Sequence, residues 1–229
     1  MRTYLDHNAT TPLRPQARKA MLAALDAGGN ASSIYSEGRA ARATVENARK
    51  TIASQLGVIA PMVIFTGVGT EANNYAIKGA PVERIVVSAT EHSCVLEAAR
   101  ATGKPVETVP VNKDGVIDLS ALEKTLAKGE GKALVCLMLA NNETGTIQPV
   151  REAAVIAHDH DALIHCDAVQ ALGKIPVNFG LLGVDMMTLS AHKVGGPQGT
   201  GALILRDGLV LEKLIHGGGQ ELGRRGGTE

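Results

Sequence analysis

The 229-residue sequence has only three cysteines, no excess of charge of either sign and no long apolar run. The cysteines, Cys94, Cys136 and Cys166, lie in apolar segments without Cys-x-x-Cys spacing, which argues against a disulfide framework and against a zinc site. Lys plus Arg and Asp plus Glu both number 23, so no net charge attracts the chain to nucleic acid or to an anionic membrane. We therefore expect its partners to be small molecules or proteins.

The N-terminal sequence MRTYLDHNATTP lacks the apolar core of a signal peptide, and no apolar run approaches the roughly 20 residues of a membrane helix. We expect no targeting or anchoring segment, no metal site and a cytoplasmic location. Apolar residues make up 45% of the chain, which is enough for a substantial core. The 26 glycines cluster in a few loops, and those loops are the candidate ligand sites.

Short apolar strands alternate with helical patterns along most of the chain. Residues 1–15 are irregular and predict an N-terminal arm, followed by one large domain over residues 16–229. Apolar spacing predicts helices over 16–27, 39–56, 71–78, 95–101, 118–127 and 150–158, and strands over 63–65, 85–89, 106–111, 134–139, 163–166 and 184–189. This alternation predicts an α/β fold with a mostly parallel mixed sheet sandwiched by helices.

Polar side chains collect where these strands end. They are Thr70, His92, Asn142, Asp167, Gln170 and the residues from Ser190 to Lys193. Ligands of open α/β sheets bind outside the carboxyl ends of the strands, so these segments are expected to face one cleft.

Lys193 follows an apolar strand and precedes a loop with four glycines. A lysine with few charged neighbours in such a setting is expected to have a lowered pKa and a nucleophilic amine. With Ser190 and His192 as phosphate donors, the pattern favours a Schiff base with pyridoxal phosphate (PLP). A glycine-rich hairpin with an exposed lysine is the alternative.

Asp167 and Gln170 close one strand, and His92 closes another. Beside a pyridine nitrogen, Asp167 would keep the ring protonated, and Gln170 would bond the phenolic oxygen. The alternative for Asp167 is a cap on the next helix. His92 is expected either to stack on a flat ring and shuttle a proton or to be a structural histidine.

Other reactive residues favour structural roles. Cys166 should face away from the ligand if Asp167 faces it, because neighbouring strand residues alternate. Cys94 begins a helix, where a packed thiol is more common than a nucleophile. The His158-Asp159-His160-Asp161 run resembles a metal cluster but stands at a predicted helix end, and His165 is isolated.

The Gly67–Ala72 segment also matches the dinucleotide pattern G-x-G-x-x-A, with Glu91 at the expected distance. A dinucleotide-binding oxidoreductase is therefore an alternative function. Two helices precede this strand, however, and a dinucleotide site leaves Lys193, Asp167 and Gln170 without roles.

Motifs across nearly the whole chain resemble the cysteine desulfurases of the NifS/IscS type, within the class V aminotransferases. The motifs are YLDHNATTP (4–12), the 30–39 loop, FTGVGTEANN (65–74), TEHSCVL (90–96), NNETGTIQP (141–149), HCDAVQ (165–170), SAHKVGGPQGTGAL (190–203) and HGGGQELGRRGGT (216–228). The resemblance implies the large domain of a PLP-dependent transferase with the aspartate aminotransferase-like fold.

Residue roles follow from the resemblance by position. It implies that Lys193 forms the Schiff base, Asp167 pairs with the pyridine nitrogen, and His92 stacks on the ring and assists proton transfer. Gln170 and Asn142 would bond the phenolic oxygen side. The residues implied to hold the phosphate are Gly69, Thr70, Ser190 and His192, with Thr228 reaching it from the partner subunit of a homodimer.

The implied reaction converts L-cysteine to alanine and a persulfide on an enzyme cysteine, for an iron–sulfur cluster scaffold or another sulfur acceptor. The family's persulfide cysteine and substrate-binding arginine belong to a C-terminal small domain, which we expect to lie beyond this sequence. The alternatives are a related class V aminotransferase or lyase and a non-catalytic binding domain. The sequence departs from the family pattern at three places. It has Tyr35 in place of histidine, Gly67-Val68 in place of Ser-Gly, and Gly226 in place of serine.

Overall fold

In the computed structural model, which describes residues 3–229, one seven-stranded sheet forms the centre of the fold. The strands are β1 (Val63–Thr66), β2 (Arg84–Ser88), β3 (Val106–Val109), β4 (Ala133–Cys136), β5 (Leu163–Asp167), β6 (Met186–Ser190) and β7 (Gly201–Leu205). Their order is β1-β7-β6-β5-β4-β2-β3. The two pairings of β7 are antiparallel and the other four are parallel, so the mostly parallel mixed sheet is confirmed.

Helices cover both faces of this sheet. They are α1 (Pro15–Ala27), α2 (Ser36–Leu56), α3 (Gly69–Gly79), α4 (Ser93–Arg100), α5 (Leu119–Lys128), α6 (Val150–Asp159) and the short α7 (Phe179–Leu182). Asp118 caps α5 by accepting the Ala121 N–H at 3.0 Å, which satisfies a free donor of the first turn.

Neighbouring strand residues enter two different apolar cores, one on each face of the sheet. Val86 and Val135 join the core that includes α5 and α6, whereas Ile85 and Leu134 join the core that includes α3 and α4. This alternation follows from the two-residue period of a strand. Both faces are therefore apolar, and polar groups are left for the strand ends.

The predicted helices and strands are present within a few residues of their predicted bounds, with three differences. α7 and β7 were not predicted, because β7 is a short apolar run directly after the glycine-rich loop and resembles the end of that loop. The strand predicted over 134–139 ends at Cys136. Its continuation still follows β5, since Leu137 and Leu139 donate to the carbonyls of His165 and Asp167.

The N-terminal residues lie outside both cores. Residues 3–14 contain no helix or strand, and the Thr11 and Arg14 N–H groups donate to the carbonyls of His192 and Gly195, both at 2.9 Å. The α1 helix buries no residue. Within residues 3–229, no helix combines the length and apolarity needed to cross a membrane.

Candidate functional site

A cavity of about 510 Å³ lies beyond the carboxyl ends of the parallel strands. Nine of the ten predicted site residues line it: Gly69, Thr70, His92, Asn142, Asp167, Gln170, Ser190, His192 and Lys193. The tenth, Thr228, is exposed in the C-terminal loop and does not line this cavity. The size is in the range of sites for small ligands and cofactors.

One wall of the cavity is the turn from β1 into α3. Gly69 begins the helix, and a Cβ there would lie 3.2 Å from the Ser190 Cβ and 3.3 Å from a Val169 methyl group, so the close approach favours glycine. The Gly67 N–H is held by the Glu71 carboxylate at 2.8 Å. The free N–H groups of the first α3 turn, with Thr70 and Ser190 nearby, form an arrangement suited to a phosphate.

Asp167 ends β5 with 6% of its surface exposed. Its Oδ1 accepts the Val169 N–H at 2.9 Å, and its Oδ2 accepts the Asn73 Nδ2–H at 2.8 Å. Asp167 thus caps the turn that follows β5, as in its alternative role, although no helix begins there. Burial raises the pKa of Asp167, against these two hydrogen bonds and the charges of His92 and Lys193.

The Lys193 amine is held by the N-terminal arm. It donates to the carbonyl of Asn8 and, at 2.9 Å, to the carbonyl of Ala9. Partial burial lowers the pKa of Lys193, whereas Asp6 and Asp167 act in the opposite direction. The pKa of Lys193 is lowered, as predicted. The alternative interpretation is right about the hairpin, because β6 and β7 form an antiparallel pair, but Lys193 is only partly exposed.

His92 caps α4 with its ring. Its Nδ1 accepts the Cys94 N–H at 3.2 Å and lies 3.0 Å from the Cys94 Sγ. An Nδ1 that accepts carries no proton, so the proton of a neutral His92 is on Nε2. Burial raises the pKa of Cys94 to about 11, which keeps the thiol protonated at neutral pH and is consistent with a packed thiol.

The arm also contacts the remaining predicted residues. Gln170 Nε2 donates to the Asn8 carbonyl at 2.9 Å, and Asn8 Nδ2 donates to the Asn142 carbonyl at 3.0 Å. His192 Nδ1 lies 3.2 Å from the Thr10 Oγ1. These contacts place Asn8 between Lys193, Gln170 and Asn142.

The metal-site alternative finds no support in the structure. Residues 3–229 contain no group of three or more His, Cys, Asp or Glu side chains able to hold a metal ion. His158 instead lies 3.1 Å from the buried Asp185 carboxylate, and His165 lies 2.9 Å from the Thr188 hydroxyl. Cys136 and Cys166 are buried in the two cores, and Cys166 faces away from the ligand cavity as predicted.

The geometry also disfavours the dinucleotide alternative. A dinucleotide fold needs a parallel βαβ unit, but β1 is an edge strand whose partner is the antiparallel β7. Glu91 is buried and accepts the Met138 N–H at 2.7 Å, which makes it unsuited to contact a ribose. Burial raises the pKa of Glu91 to about 8.

Sequence reasoning missed two contributors to this site. Asn73 lies four residues after Gly69 on α3, and this helical spacing could have placed it on the face of α3 that meets the cavity. The arm residues Asp6, Asn8 and Ala9 line the cavity, but no local pattern predicts their contact with Lys193.

Comparisons with known proteins identify the family. Residues 3–224 match the family described as aminotransferase class-V. The chain is 44% identical over 236 residues to the cysteine desulfurase IscS of Dictyoglomus turgidum and 43% identical over 238 residues to the IscS-like cysteine desulfurase of Mycobacterium tuberculosis. The alignments cover 99% and 98% of this chain but only 59% and 61% of those relatives, so the chain spans about three fifths of their length.

Solved structures agree with this likeness. A NifS-like protein matches with a TM-score of 0.95 and 39% identity, covering 100% of this chain and 66% of its own. The NifS-like protein of Rickettsia africae matches with a TM-score of 0.93 and 38% identity, covering 99% of this chain and 64% of its own. The predicted resemblance to the NifS/IscS type is therefore confirmed, and the chain belongs to the class V aminotransferase family.

Proposed function

We propose that this chain is the PLP-binding part of a cysteine desulfurase, with residues 1–15 as an arm and residues 16–229 as the large cofactor domain. The observation that carries the proposal is the pair of opposite charges in one cavity. Asp167 is buried without a cation bonded to it among residues 3–229, and Lys193 supplies an amine with a lowered pKa. The similarity to cysteine desulfurases supports the same activity.

The donor set fits PLP at each end of that molecule. A buried carboxylate bonded only to neutral donors suits the positively charged pyridinium nitrogen. The Gly69 turn leaves little room for a side chain and presents backbone N–H groups, as a phosphate site requires. Residues proposed to hold the phosphate are Gly69, Thr70, Ser190 and His192, and those proposed for the phenolic oxygen side are Gln170 and Asn142.

When bound, PLP supplies a conjugated ring that stabilises the electron pair left at the substrate Cα after proton removal. Asp167 would hold the ring nitrogen through a charge-assisted hydrogen bond. The Lys193 amine must leave the Asn8 and Ala9 carbonyls before it can act as a nucleophile, because those bonds hold its protons. His92 would stand against the ring and would hold or move a proton at Nε2, since its Nδ1 accepts the Cys94 N–H.

We infer that L-cysteine is the substrate and that the protein works as a homodimer. One solved relative at 35% identity, SspA, is described in complex with cysteine. Thr228 is exposed. By the resemblance to the family, it would contact the phosphate bound by the partner subunit. A sulfur-acceptor or scaffold protein would take the product sulfur.

The test is product analysis with PLP, L-cysteine and dithiothreitol, using the full-length protein that carries the persulfide cysteine and the substrate-binding arginine expected beyond this sequence. We expect equal amounts of alanine and sulfide, loss of both products in Lys193→Ala and full activity in Lys113→Ala, an exposed lysine that does not line the cavity. A keto acid in place of alanine would identify an aminotransferase. Bound PLP without any product would leave a binding role and contradict the desulfurase proposal.

A further inference from the structure

Asn73 connects two side chains of the cavity through one amide group. Its Nδ2 donates to the Asp167 Oδ2 at 2.8 Å and to the Cys94 Sγ at 3.1 Å. Asn73 is 1% exposed and stands on α3, whereas Asp167 ends β5 and Cys94 begins α4. One residue therefore joins three separate elements at the floor of the cavity.

The orientation of this amide indicates a specific role. Both Nδ2 hydrogens are used, whereas the Asn73 Oδ1 is buried and finds no hydrogen-bond partner among residues 3–229. The opposite orientation would place Oδ1 against the Asp167 carboxylate, which carries no proton to share when ionised. The unpaired oxygen is thus the consequence of directing both donors at Asp167 and Cys94.

The contacts continue from Cys94 to His92. With Asn73 donating to the sulfur, the Cys94 S–H is free to point at His92 Nδ1, 3.0 Å away. The backbone N–H of Cys94 donates to the same nitrogen at 3.2 Å. Asp167 and His92, the two residues proposed to contact the ring, are therefore joined through Asn73 and Cys94.

We propose that Asn73 is a positioning residue that holds Asp167 as an ionised carboxylate and, through Cys94, keeps His92 with Nδ1 as an acceptor. This inference rests on the proposed PLP site and adds a residue to which no role was assigned above. Asn73 acts on the cofactor only through its neighbours. Its removal should change the pH dependence of cofactor binding and the reactivity of Cys94.

The sign of the pH effect follows from the groups around Asp167. The titratable groups that interact with it are Glu91, His92, Cys94, Cys166 and Lys193. Burial raises the pKa of Asp167, and the Asn73 hydrogen bond is one of the contacts that lower it. Without Asn73 the pKa of Asp167 should rise further. As the pH falls, Asp167 should then become protonated at a higher pH than in the wild type. Its charge interaction with the ring nitrogen, and with it the affinity for PLP, should be lost at that higher pH.

The first experiment measures the dissociation constant of PLP from pH 5.5 to pH 9 for the wild type, Asn73→Ala and Asn74→Ala. Asn74 is the matched control, because it is adjacent on α3 and bonds only the Thr70 carbonyl. We expect the fall in affinity at low pH to move upward by roughly half to one pH unit in Asn73→Ala, the size of one net hydrogen bond. An unmoved profile would overturn the proposal, and Asn73→Leu repeats the test if the alanine variant does not fold.

The second experiment uses the cofactor-free chain and measures alkylation of Cys94 by iodoacetamide with mass spectrometry. Asn73 lowers the pKa of Cys94 against the larger effect of burial, so Asn73→Ala should react more slowly by roughly threefold to tenfold. If Asn73 only filled space, its removal would expose the Cys94 thiol and speed its alkylation. Faster or unchanged alkylation in Asn73→Ala would therefore contradict the proposal. If the wild type binds no PLP, the proposed function fails, while this second result still decides the role of Asn73.

Discussion

Two buried carboxylates of this chain have opposite surroundings. Glu221 is 3% exposed, and its oxygens accept from Arg49 at 2.6 and 3.0 Å and from the Phe65 N–H at 2.9 Å. Asp167 is 6% exposed, but within the described part of the chain, residues 3–229, it is bonded only to the neutral donors Asn73 and Val169. Among these described residues, the first carboxylate has a cation in direct contact, and the second does not.

The difference separates a structural charge from a binding charge. The Arg49–Glu221 pair connects the C-terminal loop to α2, and the Phe65 N–H connects it to β1. Glu221 itself has a left-handed backbone angle φ of 48°. Asp167 faces a cavity instead, where a positively charged ligand atom can complete its surroundings. The contrast predicts that Glu221 matters for folding and Asp167 for binding.

The largest expected effect is on stability, in Glu221→Gln. This change removes the buried counter-ion of Arg49 and leaves the partly exposed Glu46 carboxylate, 3.1 Å away, as its anion. Breaking a buried pair costs about 3–5 kcal/mol, and Glu46 should keep the loss near the lower end of that range. Urea unfolding measures the loss. A loss below about 1 kcal/mol would show that the pair is not the anchor of the C-terminal loop.

Asp167→Asn should weaken PLP binding by about a hundredfold at pH 7.5, because the buried pyridinium would lose its anion. Its folding stability should be unchanged or higher. Since burial raises the pKa of Asp167, the ionised form opposes folding, and the wild type loses stability as the pH rises from the unfolded to the folded pKa. Equilibrium dialysis and unfolding curves at pH 7.5 measure both results, and a large loss of stability with unchanged affinity would reverse the comparison.

Glu91→Gln tests the effect of a third buried carboxyl group on the pH dependence of stability. Because burial raises its pKa to about 8, the folded protein holds a proton that the unfolded chain releases near pH 4.5, so wild-type stability falls between these values. Glutamine removes this dependence and still accepts the Met138 N–H. We expect Glu91→Gln to be more stable than the wild type by roughly 1–3 kcal/mol at pH 8 and similar at pH 4.5. Parallel stability curves would contradict this explanation.

The smallest effect should come from Glu97→Gln. Glu97 and Arg100 form an ion pair on the surface of α4, with side chains 69% and 64% exposed. Exposed pairs contribute about 0.2–1 kcal/mol, and the effect should vanish in high salt. A loss comparable to that of Glu221→Gln would show that burial is not what distinguishes these pairs.

Local patterns predicted the strand-end residues of the site but not their partners. Asp167, His92 and Lys193 could be found because each follows a short apolar run and parallel strands end at one edge. Asn73 could not be assigned a role, because its partners Cys94 and Asp167 lie 21 and 94 residues away in the sequence. The direction of β7 was also missed. The 191–200 loop turns the chain back along β6, and the apolar pattern of a strand contains no information about its direction.

The same limit applies to the arm. Asn8 contacts Lys193 across 185 residues, and residues 3–14 have no periodic pattern that predicts where they bind. Long-range polar contacts depend on the assembled fold, whereas apolar periodicity depends on each segment alone.

The central claim is that Lys193 is the lysine that carries the cofactor opposite Asp167. The most direct measurement is to add PLP to the purified protein, fix the adduct with borohydride and identify the modified residue by peptide mapping. The account predicts one modified lysine, Lys193, and no adduct in Lys193→Ala. Adducts spread over many lysines, or a single adduct on another lysine, would contradict it.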